Sequence, residues 1–303
     1  MGPALCLLSA AAFGTMAIFG KLAYEAGVGV GDLLLVRFTV AAAVLLAIAT
    51  ATGALRGLPR RAVVTGLLMG GVGYAAQAGL FFLALERMDA SILALLLYTY
   101  PAMVTVAAIA IGREKGSRRR TVALGIACTG TALVLLGAGT GALDPLATAM
   151  GLGAALTYTA YILIGDGVVG GIPALALAAL VATGATTTFA VVSVMTGGPG
   201  LGFAPAGWVA LLAIALVSTV VAILAFFAGL ARVGPSAASI LSTLEPPVTV
   251  ALAALAFGES LGAVQLAGGA MVLLAVVLLA LPQGRIAALG GRNGRAEHTA
   301  ELA

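Results

Sequence analysis

Glu245 stands inside an apolar run, in Ser239…Ser242-Thr243-Leu244-Glu245-Pro246-Pro247. It lies about 11 residues into its segment, or ~16 Å along a helix rising ~1.5 Å per residue, which is close to the middle of a bilayer. A carboxylate there costs ~2.5–3.5 kcal/mol on insertion scales, so it marks a functional site. Pro246 and Pro247 remove two backbone donors and free the carbonyls of Ser242 and Thr243. An ionised Glu245 only accepts hydrogen bonds and cannot satisfy those carbonyls. It is therefore protonated, or it faces water and donors from elsewhere in the chain. Either state couples it to a proton or to a substrate ammonium. The plainer alternative is a protonated Glu that braces a kinked helix.

Tyrosines in membrane helices usually sit at the interfaces. Tyr74, Tyr98, Tyr100 and Tyr158 instead fall near the middle of their segments, with Tyr161 one turn beyond Tyr158. A phenolic hydroxyl at that depth needs a partner or water. A shared polar cavity would supply both, and hydrogen bonds gluing the bundle are the alternative. Gly66, Gly70, Tyr74, Gln77 and Phe81 follow i, i+3/i+4 spacing and share one helical stripe. The two glycines suit close helix packing; Tyr74, Gln77 and Phe81 offer an aromatic box with one amide, fit for an amphipathic solute.

Other chemistries lack their residues. The single histidine, His298, lies in the polar C-terminal stretch, so no metal site and no cofactor are expected. Cys6 and Cys128 read as buried small apolar residues. A membrane-embedded enzyme needs a nucleophile with a base, or paired carboxylates, and the apolar segments offer neither. No catalytic residue is assigned.

The elements that must position these groups are set by composition. Of 303 residues, 62% are hydrophobic and 9% charged, with a mean hydropathy of +1.17. Soluble domains carry about a quarter charged residues, so a water-facing surface, and with it soluble enzymes and nucleic-acid binders, is excluded. Breaks at Gly, Pro and charge clusters leave ten apolar stretches near 3–24, 30–52, 62–85, 89–111, 121–139, 145–165, 173–196, 205–231, 234–257 and 260–281. Each is long enough to cross a ~30 Å hydrocarbon core as a helix. The runs are continuous, whereas barrel strands alternate, so a β-barrel is excluded. The first stretch lacks a basic leader and is expected to be retained.

Basic residues set orientation. Arg56, Arg60 and Arg61 lie between stretches two and three, and Arg113, Lys115, Arg118, Arg119 and Arg120 between four and five. With Arg232 and the terminal Arg285, Arg292 and Arg295, all but Lys21, Arg37 and Arg87 of the 15 basic residues fall on one side. An N-in, C-in topology places them in the cytoplasm. Lys21 and Arg37 then lie toward the other end, either snorkelling to headgroups or lining an exit vestibule.

A shift of 145 residues matches the chain to itself: Phe81-Phe82 to Phe226-Phe227, Leu85 to Leu230, Arg87 to Arg232, Ser91 to Ser236, Pro101 to Pro246 and Glu114 to Glu259. Phe13 meets Tyr158 and Gly20 meets Gly165. Each half holds five stretches, and five is odd, so the second copy enters the membrane from the opposite side. Such inverted repeats recur in secondary transporters, with the substrate site near midplane. Pro101 and Pro246, at matching depth, are candidate kinks for two gates. Glu114 and Glu259 are expected to cap helix ends or pair with local bases.

Two five-helix repeats, each with Pro midway along the fourth helix and Gly112-Arg113-Glu114 or Gly258-Glu259 at its end, resemble EamA repeats of the drug/metabolite transporter superfamily. Phe13-Gly14 with Phe19-Gly20-Lys21, and Arg37-Phe38, fit the same pattern, although Phe13 replaces the usual Trp and Asp166 stands opposite Lys21. The resemblance implies export of amino acids or related metabolites, with the bacterial aromatic and amino-acid exporter branch nearest.

The expectation is thus an all-α polytopic membrane protein of the bacterial inner membrane. It has ten transmembrane helices in two inverted five-helix repeats, 3–139 and 145–281, and a flexible cytoplasmic tail, 282–303. A cavity between helices 1, 3, 4, 6, 8 and 9 would bind the solute through Phe13, Tyr74, Gln77, Phe81, Tyr98, Tyr100, Tyr158, Tyr161, Ser242 and Glu245. Its partners are a small-molecule substrate and the lipid bilayer, with no nucleic acid and a monomer as the working unit. The rival readings are a passive channel and a multidrug or other metabolite carrier.

Overall fold

The computed structural model describes residues 1–112, 117–137, 144–168, 172–233, 241–242 and 244–280, and every regular element among them is helical. In chain order these are α1 (Gly2–Gly14), α2 (Met16–Glu25), α3 (Val30–Ala51), α4 (Arg60–Leu68), α5 (Ala75–Leu85), α6 (Ala90–Leu97), α7 (Tyr100–Ala110), α8 (Arg118–Gly137), α9 (Pro145–Val168), α10 (Ala174–Met195), α11 (Pro205–Ala215), α12 (Ala222–Val233), α13 (Glu245–Phe257) and α14 (Ala263–Ala280). Met69–Tyr74 joins α4 to α5, and Leu216–Val221 joins α11 to α12, each as one π-helical segment.

Seven helical stretches are long and apolar enough to cross a membrane: Gly2–Glu25, Val30–Ala51, Arg60–Leu85, Ala90–Ala110, Pro145–Ile164, Ala174–Met195 and Pro205–Leu230. Three shorter apolar helices, Thr121–Val134, Glu245–Phe257 and Ala263–Leu278, accompany them. Most of the ninth expected stretch before Glu245, with Glu114, Thr243 and the tail, lies outside the described residues.

The expected helices are less regular than their hydropathy implies. The first breaks at Thr15, whose hydroxyl bonds the Ala12 carbonyl at 2.6 Å and Ser218 Oγ at 2.7 Å. The fourth is not kinked midway at Pro101 but interrupted at Tyr98–Thr99, and α7 restarts with Pro101 in its first turn. Pro246 and Pro247 likewise sit in the first turn of α13. Proline lacks the N–H that a helix interior needs, and is tolerated where that donor has no partner anyway.

Packing follows small residues. The main contacts pair α8 with α14, α3 with α10, α1 with α12, α5 with α9, α2 with α11, and α6 with α13. A Cβ on Gly70 would fall 2.0 Å from the Val181 carbonyl oxygen, and one on Gly184 would fall 2.1 Å from that of Leu67. Gly268 also approaches Gly130 closely, with 2.5 Å from its built Cβ to the carbonyl oxygen. These glycine faces therefore serve packing within the chain, where lipid supplies no hydrophobic drive and close backbone approach does. Gly70→Ala is expected to lower the thermal unfolding midpoint in detergent through ~1–3 kcal/mol of overpacking. Gly79→Ala, whose Cβ meets nothing within 4 Å, should leave that midpoint unchanged or raised. Cys6 is buried as expected; Cys128 is exposed, because it faces away from the α8–α14 contact.

Candidate substrate cavity

The mid-depth tyrosines meet. Tyr98 and Tyr100 have ring centroids 5.9 Å apart, Tyr100 and Tyr158 4.6 Å, Tyr158 and Tyr161 6.2 Å, and Tyr161 and Tyr74 5.9 Å. Phe38 continues the row at 5.5 Å from Tyr74. The break at Tyr98–Thr99 and the π segment ending at Tyr74 place these side chains inward. π segments are often found at functional sites.

Two adjacent chambers share this wall. The larger, about 610 Å³, is lined by Phe13, Tyr74, Tyr98, Tyr100, Tyr158, Tyr161, Ser242 and Glu245, and also by Phe38, Phe226 and Phe227. The smaller, about 110 Å³, adds Gln77, Phe81, Arg37 and Thr249. Every residue expected at the site thus lines one chamber or both. Helices 2 and 7 also contribute, through Arg37, Phe38, Val181 and Ala182, beyond the six helices expected. Their apolar positions gave no sign of facing a cavity.

Glu245 enters through the first turn of α13. Tyr98 Oη lies 2.9 Å from Glu245 Oε2 and 2.9 Å from the Ser242 carbonyl oxygen. The tyrosine therefore reaches one of the carbonyls freed by Pro246-Pro247 and the carboxylate beside it. One hydroxyl proton cannot fully serve both acceptors, so the pair has capacity for one more donor when Glu245 is ionised.

Arg37 is 1% exposed, which a snorkelling side chain would not be, and it lines the smaller chamber. Its Nε donates to Thr219 Oγ1 at 3.0 Å. Thr219 lies in the second π segment, where its hydroxyl bonds the Ile214 carbonyl at 2.9 Å. This buried arginine is what sequence reasoning missed. Its signal was the lack of any acidic residue within a helical turn of position 37 on a largely apolar stretch.

The profile of the EamA-like transporter family matches the chain twice, over residues 1–136 and 146–281. The chain belongs to this family. Members of the EamA-like family are membrane transporters of small molecules, not enzymes, and this EamA-like protein is accordingly a multi-pass membrane protein that carries small molecules. A solved structure titled "Crystal structure of protein" shares the fold at a TM-score of 0.66 with 17% identity, covering 91% of this chain and 95% of that chain. No curated protein matches the sequence.

In this EamA-like chain a set of contacts joins the helices at one end of the smaller chamber. A Cβ on Gly20 would fall 2.8 Å from Leu85 Cδ2, so the first and third helices touch there, and the Tyr24 hydroxyl donates to the Phe82 carbonyl at 2.8 Å. Beyond them Lys21 Nζ donates to Glu259 Oε1 at 2.7 Å. Glu259 follows α13 and reaches the start of α6, accepting from the N–H groups of Ala90 at 3.1 Å and Ser91 at 3.0 Å and from the Ser91 hydroxyl at 2.8 Å. Glu259 thus does cap a helix and does pair with a base, but the base is distant in sequence. Burial pushes its carboxyl pKa up, yet Lys21, Ser91 and Ala90 together hold it below the usual carboxylate range.

Proposed function

We propose that this EamA-like transporter exports a small zwitterionic metabolite, an amino acid and in particular an aromatic one, across a bacterial inner membrane by alternating access. Ten transmembrane helices form two inverted five-helix repeats, N-in and C-in, with the substrate held between the halves. The pairing of elements supports the two-fold relation: α5 packs on α9 as α12 packs on α1, while α3 with α10 and α8 with α14 are pairs that map onto themselves. The π segments, and the helix starts at Tyr100 and Glu245 with proline in the first turn, also recur near a spacing of 145 residues.

The observation that carries the substrate class is Glu245, bonded to Tyr98 and facing a cavity walled by aromatic rings and aliphatic side chains. A carboxylate suits an ammonium, and the rings suit an apolar side chain. The larger chamber reaches Val104, Thr105, Leu177, Ala178, Phe226 and Phe227, toward the end that carries the arginine-rich connections. Under the N-in topology that end is cytoplasmic, and an exporter loads there.

Counterflow tests this reading. Liposomes carrying the purified protein and loaded with unlabelled phenylalanine are expected to accumulate external labelled phenylalanine transiently and saturably. Non-saturable flux without counterflow would instead identify a channel. Unchanged flux in Tyr98→Ala and Gln77→Ala variants would overturn the site.

A further inference from the structure

Arg37 keeps its charge in any environment a protein offers. Around it lie two neutral oxygens and two rings: Thr219 Oγ1, the Tyr74 hydroxyl, Phe38 at 4.8 Å from ring centroid to guanidinium carbon, and Phe82 at 5.4 Å. None of the ion pairs among the described residues includes it. Its Nη2 is buried and has no hydrogen-bond partner. A desolvated cation with unused N–H groups is costly unless an anion joins it.

The arginine lines the smaller chamber together with Gln77, Tyr98 and Glu245. Its two oxygen neighbours, Tyr74 and Thr219, are 145 residues apart, so the two halves contribute equivalent sequence positions, Tyr74 ending the first π segment and Thr219 lying within the second. The cation itself is not duplicated, for the position matching Arg37 is Ala182. Glu245 is equally unmatched, its counterpart being Tyr100. Among the described residues, a pseudo-symmetric cavity thus carries one cation and one carboxylate that do not pair with each other. A bound solute with both charges would complete them.

We propose that Arg37 is the carboxylate-binding group of this cavity, and that the substrate is an α-amino acid whose ammonium end meets Glu245. The assignment rests on the transport reading for its purpose, though not for its test. Guanidinium N–H groups fit a planar carboxylate better than an ammonium point charge does. Thr219, Tyr74 and the two rings hold the guanidinium in place before the solute arrives.

Equilibrium binding to the purified full chain in detergent tests it with four probes: L-phenylalanine, 3-phenylpropionate, phenylalanine methyl ester and 2-phenylethylamine. The first two keep the carboxylate and the last two lack it. Wild type is expected to bind the first two at least ~10-fold more tightly than the last two, as expected for hydrogen bonds to a charged group. Arg37→Gln should erase that preference, and Arg37→Lys should restore part of it. Chloride and inorganic phosphate should compete only weakly. A wild-type protein without carboxylate preference, or one that binds none of the probes, overturns the proposal. So does a preference that survives in Arg37→Gln, or strong competition by chloride or phosphate. Carboxylate-dependent binding without counterflow would sink the transport reading and leave the subsite standing; counterflow without carboxylate preference would do the reverse.

Discussion

Glu245→Gln is expected to slow counterflow of a zwitterionic amino acid roughly 30- to 700-fold while the protein stays folded. Tyr98 Oη stands 2.9 Å from both Glu245 Oε2 and the Ser242 carbonyl oxygen, so one proton faces two acceptors. A glutamine amide relieves that shortage, since its NH₂ can donate to Tyr98 Oη while Tyr98 donates to Ser242. Folding is therefore preserved, and the substrate's ammonium loses its only charged partner on α13. Removing one member of a buried charge pair costs about 2–4 kcal/mol, which sets the expected factor. Tyr98→Phe should cost less, about 1–3 kcal/mol, because it leaves a carbonyl unsatisfied without removing charge. Initial counterflow rates in proteoliposomes, with thermal midpoints as the folding control, separate these cases. A Glu245→Gln protein with the wild-type rate would make Glu245 a helix brace only.

The residues that line the cavity were legible because polar groups are expensive in an apolar stretch, so Tyr74, Gln77, Tyr98 and Glu245 stand out by type and depth alone. Pro101 and Pro246 marked the right neighbourhood but not the form of the irregularity. Hydropathy does not distinguish a kinked helix from one that ends at Tyr98 and restarts at Tyr100. The π segments were invisible for a related reason: Met69–Tyr74 and Leu216–Val221 differ from ideal helix only in hydrogen-bond register. For Arg37, distance from the segment's end leaves snorkelling and a chamber wall as alternatives, and rotation about the helix axis decides between them. On the face it occupies, the side chain meets Tyr74 and Thr219. Lys21 and Glu259 are 238 residues apart, and only the folded chain joins them.

That pair leads to the second large effect. Glu259→Gln and Lys21→Met are each expected to open that end of the smaller chamber. Under the proposed topology that end faces away from the cytoplasm. In a Cys6→Ala, Cys128→Ser background, a cysteine placed at Phe81 should react with an impermeant thiol reagent at least ~10-fold faster in cells when either substitution is present. The estimate takes ~2 kcal/mol for the loss of a largely buried, hydrogen-bonded ion pair, converted to a population shift. Low pH should act in the same direction. Glu259 has its carboxyl held below the usual range, so its contribution is complete above the ordinary carboxylate pKa of ~4.3 and is lost as pH falls through the lower folded value. Relative to a fully exposed control cysteine, whose labelling corrects for the loss of thiolate in acid, labelling of the otherwise unchanged protein should therefore rise only in strong acid, and Glu259→Gln should flatten that rise. Exchanging the two charges, with Lys21→Glu and Glu259→Lys together, is expected not to restore the seal. Glu259 also accepts the N–H groups of Ala90 and Ser91 at the start of α6, where an ammonium can accept nothing and meets the positive end of the helix dipole. Rescue by the exchange would reduce the contact to a simple ion pair and remove the helix start from the gate.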